Sequence, residues 1–258
     1  MLFDTHVHSK ISSDAKNSII DMCNAAVLKG VSVICFTEHF DLNPDDTNYG
    51  FYNHDEYTSE IDQARSLFSD KLEILQGIEF SEPHKYPRQF ELMMKKNFDF
   101  ILGSLHWIGD TWAGAEDILA RYSMDEVHRM HYSETLKLAR FGGFDSLAHI
   151  DFPRRYLKNF PEPDELIDEI VTTLIRSNIS LELNSSPLRK GNDFAFPSQA
   201  ILHRYGHFGG KTVTIGSDAH STDDIGSGYE YMLNQAASFQ LEPVLYRLRK
   251  PYKLAGHE

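Results

Sequence analysis

Cysteine is nearly absent: the chain of 258 residues holds two, Cys23 and Cys35. Both sit in apolar contexts, one helix-like and one strand-like, which argues against a disulfide framework and a cysteine-based metal site. Basic charge is also scarce, with 25 Lys and Arg against 38 Asp and Glu and a formal net charge of −13. A non-specific nucleic-acid or anionic-membrane binder needs a basic surface, so neither partner is expected. Bound divalent cations would, however, offset several of those carboxylates locally. No apolar window of about 18 residues exists, so no membrane span is expected. The start, MLFDTHVHSK, lacks the charged beginning and apolar run of a signal peptide, which leads to the expectation of a cytoplasmic protein. Internal repeats, low-complexity tracts and Pro/Gly/Ser-rich linkers are missing, and one domain spanning 1–258 is expected. No Gly-rich phosphate loop of the dinucleotide or Walker kind follows any strand-like segment.

What the chain does have is thirteen histidines and a 41% hydrophobic content that suffices for a sizeable core. Seven short, β-branched-rich apolar segments recur: Leu2–His8, Val31–His39, Glu73–Phe80, Phe98–His106, Asp145–Ile150, Ser180–Ser185 and Thr212–His220. Near-continuous apolar runs such as VSVICF and FDFILGSL suit parallel strands buried on both faces. Helical patterns lie between them: Ser18 to Lys29 stopped by Gly30, Glu56 to Phe68, Met124 to Phe141 stopped by Gly142, Pro163 to Arg176, and Ser198 to Tyr205 stopped by Gly206. This alternation predicts βα units closing into an α/β barrel of seven strands, with an eighth unit missing or degenerate. An open doubly wound sheet is the rival arrangement.

Ligand-type residues gather at the C-terminal ends of these segments. The first ends Asp4-Thr5-His6-Val7-His8 with Asp14 on the loop beyond, the second Glu38-His39, the third Glu79, the fourth His106, the fifth His149 and the seventh Asp218-Ala219-His220. In a parallel barrel all strands open onto one face at these ends, so residues far apart in sequence meet. His6 and His8, two apart on a strand, point the same way, as do Asp218 and His220. Each piece alone has a plain structural reading; a single HxH pair or one buried histidine is commonplace. Glu79 is harder to explain so, because a carboxylate among apolar neighbours must be paired or coordinated. Six of seven strand ends carrying His, Asp or Glu predict a multinuclear metal site. Nine candidates (His6, His8, Asp14, His39, Glu79, His106, His149, Asp218, His220) are too many for one ion and suit two or three sharing Glu79. Their nitrogen and oxygen donors fit Zn, Mn or Fe. The remaining histidines, His54, His84, His128, His131, His203, His207 and His257, are read as surface, helix or loop residues.

These pieces together resemble the polymerase-and-histidinol-phosphatase (PHP) family of metal-dependent phosphoesterases. The matching stretches are DTHVHS at 4–9, TEH at 37–39, Glu79, GSLHW at 103–107, LAHID at 147–151 and GSDAH at 216–220. Within that family, LELNSSPLRKGNDFAFPSQAIL at 181–202 resembles the histidinol-phosphate phosphatases of histidine biosynthesis. The resemblance implies a distorted (β/α)7 barrel with three divalent ions. It implies that His6, His8, Glu79 and Asp218 surround one ion, that Glu79 bridges to a second held by His106 and His149, and that Asp14, His39 and His220 hold a third. The reaction implied is hydrolysis of L-histidinol phosphate, a small-molecule phosphate ester, by a metal-bridging hydroxide held through Glu79.

Phosphate recognition calls for a planar bidentate donor, and three arginines follow strand ends: Arg154 and Arg155 after the fifth and Arg189 after the sixth. The resemblance favours Arg189 as a phosphate ligand, and Arg155 is preferred over Arg154. Glu38, Asp41 and Glu82 are placed to read the amine and imidazole, with nothing in the sequence to choose among them. Asn184 and Ser185 would bond substrate or cap their strand. Three other readings compete. A PHP nuclease or nucleotide phosphatase is opposed by the charge of −13 and the 181–202 segment. An amidohydrolase-type barrel would place a lysine at a middle strand end, and none stands there. A non-catalytic metal-binding module is opposed by the full ligand set beside open loops. The sequence carries no signal for oligomeric state.

Overall fold

In the segment VSVICFTEHF, Val31 to Phe40, only Ser32 and Phe40 are not fully buried, and a strand covered on both faces is the structure that accepts such a run. The computed structural model describes residues 1–161 and 165–253. The start of the helix expected from Pro163, and His257, lie outside them.

Eight strands form one sheet: β1 (Leu2–Val7), β2 (Val31–Phe40), β3 (Glu73–Ser81), β4 (Phe100–Ser104), β5 (Ser146–Leu147), β6 (Ser180–Asn184), β7 (Thr212–Gly216) and β8 (Glu242–Pro243). They pair in chain order and every pair is parallel. The sheet curls until β1 meets β7, where the His8 amide donates to the Ala219 carbonyl at 2.8 Å and the Ala219 amide to the His6 carbonyl at 3.3 Å. All seven expected segments contribute to this distorted barrel. The two-residue β8, outside β7, is the degenerate eighth unit.

Between the strands run α1 (Ile19–Leu28), α2 (His54–Phe68), α3 (Pro87–Met93), α4 (Met124–Phe141), α5 (Glu165–Arg176), α6 (Gln199–His207) and α7 (Tyr229–Ser238). Local chemistry starts several of them. Ser18 and Asp21 form a capping box on α1, as Ser123 and Glu126 do on α4, which satisfies amides that have no partner within the helix. Two sequence expectations need correction. Gly206 does not stop α6, which continues to His207 and is closed by Gly209 at φ +93°. The fifth segment is extended only at Ser146–Leu147, because the backbone turns at His149 with φ +23°. The short α3 and the whole of α7 lack a strong sequence signature and were not expected. Among the described residues no helix is long and apolar enough to cross a membrane.

Buried side chains from the strands and the inner helix faces, among them Ile34, Phe36, Leu102, Leu181, Val213 and Ile215, form a contiguous apolar cluster. At the closing seam a single side chain joins three chain segments. Asp4 is 1% exposed and accepts from the Ser217 amide at 2.9 Å, the Ser217 hydroxyl at 2.5 Å and the Gly226 amide at 2.9 Å. Removing it would strand two amides and a hydroxyl. Asp4→Ala is therefore expected to lower the unfolding free energy by about 2–5 kcal/mol, since each unsatisfied buried donor costs about 1–3 kcal/mol. Urea denaturation of the metal-free protein measures this, and a loss below about 0.5 kcal/mol would contradict the role given to Asp4.

Candidate metal centre

Alternation along β1 sends Asp4, His6 and, just past its end, His8 to one side. His39 on β2 is the register partner of Glu79 on β3, so these two side chains start at the same level of the sheet. His106 follows β4, His149 follows β5, and Asp218 and His220 follow β7. The barrel brings all of these to one face.

Glu79 stands at the centre with no exposed surface. One carboxylate oxygen, Oε2, lies 3.2 Å from His6 Nε2, 3.5 Å from His8 Nε2 and 3.1 Å from His39 Nδ1. The other, Oε1, lies 2.9 Å from His149 Nε2 and 3.3 Å from His106 Nε2. Asp218 Oδ1 is 3.8 Å from His6 Nε2 and 3.7 Å from His8 Nε2. At the rim, Asp14 Oδ2 approaches His220 Nε2 at 3.2 Å and His39 Nε2 at 3.6 Å.

Four groups have ligand atoms close enough to share an ion: His6, His8 and Asp218; His6, Glu79 and His149; His39, Glu79 and His106; His8, His39 and His220. Eight of the nine expected residues fall in these groups; Asp14 does not, its side chain being 44% exposed at the edge of the cluster. The donor set fits divalent metal. His8 Nε2 and His39 Nδ1 are buried with no hydrogen-bond partner, and the rings of His8 and His39 stack at 4.2 Å, those of His8 and His220 at 4.3 Å. Imidazoles packed face to face with inward nitrogens suit ligation better than mutual hydrogen bonding.

Burial opposes charge on His6, His39 and His106, but neighbouring carboxylates, Glu182, Asp14 and Glu79 among them, outweigh it and hold these imidazoles well above their usual value in the metal-free cluster. Burial opposes charge on Glu79, but His6, His39 and His106 outweigh it and hold the carboxyl well below its usual range. Burial, reinforced by His39, His220 and His6, holds the His8 imidazole well below its usual value, so it stays neutral and able to coordinate.

Around the centre stands a ring of carboxylates. Glu38 accepts from the Ser9 amide and hydroxyl and from the Ser12 hydroxyl, at 2.6–3.1 Å. Glu82 accepts from the amides of His106 at 2.7 Å and Trp107 at 3.1 Å. Both are thereby committed to the scaffold. Asp41 differs: its side chain is 2% exposed, both oxygens lack a hydrogen-bond partner, and it lines the cavity beside His39 and His106. Asn184 caps the next turn through the Ser186 amide rather than facing the cavity. Glu182 is a residue the sequence reading missed. It is fully buried, with Oε1 2.6 Å from His6 Nδ1. The argument applied to Glu79, a carboxylate in an apolar strand, applies equally to Glu182 and would have found it.

The arginines part company. Arg155 reaches the site, pairing with Asp218 at 2.8 Å and with the Ser186 hydroxyl. Arg154 turns away to Asp151 at 3.2 Å and stacks over Phe194. Arg189 shares a cleft with Arg155, Asp218 and His220, donating to the carbonyls of Ser217 and Asp218 and lying 3.1 Å from Asp224. Of the histidines set aside, His131 is buried on α4 and bonds the Ile150 carbonyl at 2.7 Å, and His84 pairs with Glu134 at 2.8 Å.

Because Glu79 belongs to two of the four groups and touches five histidines, Glu79→Gln is expected to weaken zinc binding by more than about 100-fold, beyond the loss of an outer partner. Asp14→Asn at the rim is expected to cost less. Competition against a fluorescent chelator measures both, and wild-type zinc affinity in Glu79→Gln would remove Glu79 from the centre.

Comparison with known proteins agrees with the architecture. A PHP domain profile matches residues 4–186. A probable histidinol-phosphatase of Clostridium acetobutylicum is 31% identical over 257 residues, covering 96% of this chain and 98% of the relative. The histidinol-phosphatase of Lactococcus lactis is 28% identical, covering 84% and 83% of the two chains. The crystal structure of histidinol phosphate phosphatase from Lactococcus lactis, complexed with zinc, L-histidinol and phosphate, superposes with a TM-score of 0.84 at 25% identity, covering 98% of this chain and 99% of that one. With the domain profile spanning most of its length and its strand-end ligands meeting on one barrel face, this chain belongs to the PHP family.

Proposed function

We propose that this protein is a cytoplasmic, metal-dependent phosphomonoesterase that hydrolyses L-histidinol phosphate to L-histidinol and phosphate. The observation that carries the reading is a cavity with three kinds of lining: the ligand cluster around Glu79, the arginine Arg155, and the carboxylate Asp41, which lies 3.7 Å from His39 and His106 but has no hydrogen-bond partner. Nearly full-length similarity to histidinol-phosphatases supports the choice of substrate.

His6, His8, Asp14, His39, Glu79, His106, His149, Asp218 and His220 would hold three divalent ions, drawn from zinc, manganese or iron. Bound there, such ions lower the pKa of water and neutralise phosphoryl oxygens during an in-line displacement. The chain's own residues do the rest. Arg155 binds the phosphate: its guanidinium lies over Phe152 at 4.9 Å and Phe196 at 5.4 Å, its position is fixed by Asp218, and its buried Nε has no hydrogen-bond partner. Arg189 contributes positive charge to the same cleft while holding the Ser217–Asp218 turn. Asp41 orients the other end of the substrate by accepting from the ammonium group or a protonated imidazole. Asp46, which accepts from the Trp107 indole at 3.0 Å, adds to the negative potential there. Trp112 and Tyr156, with ring centroids 5.1 Å apart and both more than a third exposed, supply aromatic faces for the imidazole at the mouth.

A charge-assisted hydrogen bond contributes about 1.5–3 kcal/mol. Arg155→Ala should therefore lower kcat/KM for L-histidinol phosphate by about 10- to 150-fold, with Arg155→Lys recovering part of the loss.

Asp41→Asn should raise KM for L-histidinol phosphate by at least about tenfold while leaving p-nitrophenyl phosphate, which has no cationic end, within about twofold. Steady-state kinetics on both esters and a nucleoside monophosphate tests the assignment. Faster turnover of the nucleotide would overturn the substrate, and equal losses on both esters would remove Asp41 from recognition.

A further inference from the structure

The proton map around Glu182 determines which nitrogen of His6 can face a metal. An ionised carboxylate only accepts hydrogen bonds. Glu182 Oε1 lies 2.6 Å from His6 Nδ1. Glu182 Oε2 accepts from the His149 amide at 2.8 Å and from Asn184 Nδ2 at 3.1 Å. The orientation of the Asn184 amide is set independently, since its Oδ1 accepts from the Ser186 amide at 3.0 Å and from the Ser186 hydroxyl at 2.6 Å. Two fixed donors thus converge with the Nδ1 of His6 on one buried carboxylate.

We propose that Glu182 is a positioning residue that holds the proton of His6 on Nδ1 and so presents Nε2, free for a divalent ion, toward Glu79 and Asp218. The same carboxylate secures the backbone amide of His149, whose φ of +23° is costly for a non-glycine residue and needs external support. His6 Nε2 and His149 Nε2 flank the two oxygens of Glu79 at 3.2 and 2.9 Å, so Glu182 aligns ligands on both sides of the central carboxylate. The neighbouring strand is shaped for this contact. A Cβ at Gly216 would lie 2.3 Å from His6 Cβ and 2.7 Å from Glu182 Oε1, so β7 approaches the pair only because that position is glycine.

Glu182→Gln separates positioning from packing, because it keeps shape and changes one acceptor into a donor. If the amide oxygen stayed toward His6, its NH2 would face two fixed donors, the His149 amide and Asn184 Nδ2. With the NH2 toward His6 instead, every bond is satisfied provided that Nδ1 loses its proton and accepts. The proton then resides on Nε2, the nitrogen that must be bare to ligate. The substitution is thus a tautomer switch with little change in shape.

This inference rests on the metal-centre reading above, and the measurement is nitrogen-15 spectroscopy of histidine-labelled protein, metal-free and zinc-loaded. Wild type should show His6 protonated at Nδ1 in both states, with zinc on Nε2 when loaded. Glu182→Gln should keep its far-UV circular dichroism, show a bare Nδ1 when metal-free, and bind zinc about 10- to 100-fold more weakly. A Glu182→Gln protein with wild-type zinc affinity and a protonated Nδ1 would overturn the proposal. Should that variant fail to fold, wild type alone decides: Nδ1 protonated with zinc on Nε2 supports it, and a bare or zinc-bound Nδ1 overturns it. Wild type that takes up no zinc would instead remove the metal centre itself, and with it this role.

Discussion

The structure is organised by one costly group, the carboxylate of Glu79. An ionised carboxylate without solvent contact is destabilising by several kcal/mol unless charges and donors surround it. Here five imidazoles, those of His6, His8, His39, His106 and His149, stand within 3.5 Å of its two oxygens. They come from β1, its end, β2 and the ends of β4 and β5. Few architectures deliver side chains from so many separate segments to one point. A parallel barrel does so because every strand arrives with the same polarity and ends on the same face.

Keeping five rings aimed inward requires fixing the backbone that carries them, and the second layer of carboxylates does this. Glu82 takes the amides of His106 and Trp107, Glu38 gathers the loop carrying Ser9 and Ser12, and the Ser12 hydroxyl in turn accepts from the His39 amide at 3.0 Å. Asp151 accepts from the Ser198 amide at 2.9 Å and thereby ties the fifth strand's turn to the start of α6. Burial pushes the carboxyls of Glu38 and Glu82 each up to about 7, despite the donors around them. Some backbone strain is held in the same place: Glu82, His149 and Asp218 are non-glycine residues with φ of +48°, +23° and +56°. The apolar cluster beneath is the source of stability that this polar, strained layer draws on.

Much of this was legible because of repetition. One histidine at a strand end says little, whereas His or a carboxylate at six of seven ends reveals both the strand polarity and the shared face. Glu79 stood out as a charge among apolar neighbours. Glu182 sits in an equally apolar strand but was overshadowed by the ligand motifs, since it touches the centre through His6 rather than from a strand tip. The choice between Arg154 and Arg155 depends on a single turn of 3-10 helix at 152–155, which sends adjacent side chains to opposite sides. The end of α6 depends on whether Gly206 or Gly209 takes the positive φ, and Gly206 is compatible with continued helix. The choice of Asp41 over Glu38 and Glu82 needs the full list of hydrogen-bond partners, which only the three-dimensional arrangement supplies.

The division of labour between strands and loops bears on how such a centre acquires specificity. The groups that gather at Glu79 are mostly strand-end residues with little or no exposure, and their geometry is set by sheet register and by buried acceptors. The groups proposed to bind substrate come from loops: Asp41 and Asp46 after β2, Trp112 in the hairpin that pairs Trp107–Ile108 with Thr111–Trp112 beyond β4, Arg155 and Tyr156 after β5, and Arg189 after β6. Changing His6, His39 or His106 disturbs the charge balance of the whole cluster, because these three imidazoles compensate the same carboxylate. On the proposed function, changing Asp46 or Trp112 alters one end of the substrate pocket and leaves that balance intact, whereas Arg155 and Arg189 also hold Asp218. On that same proposal, the cluster around Glu79 is therefore the part of this barrel least free to vary, and the groups that would read the alcohol lie in the loops.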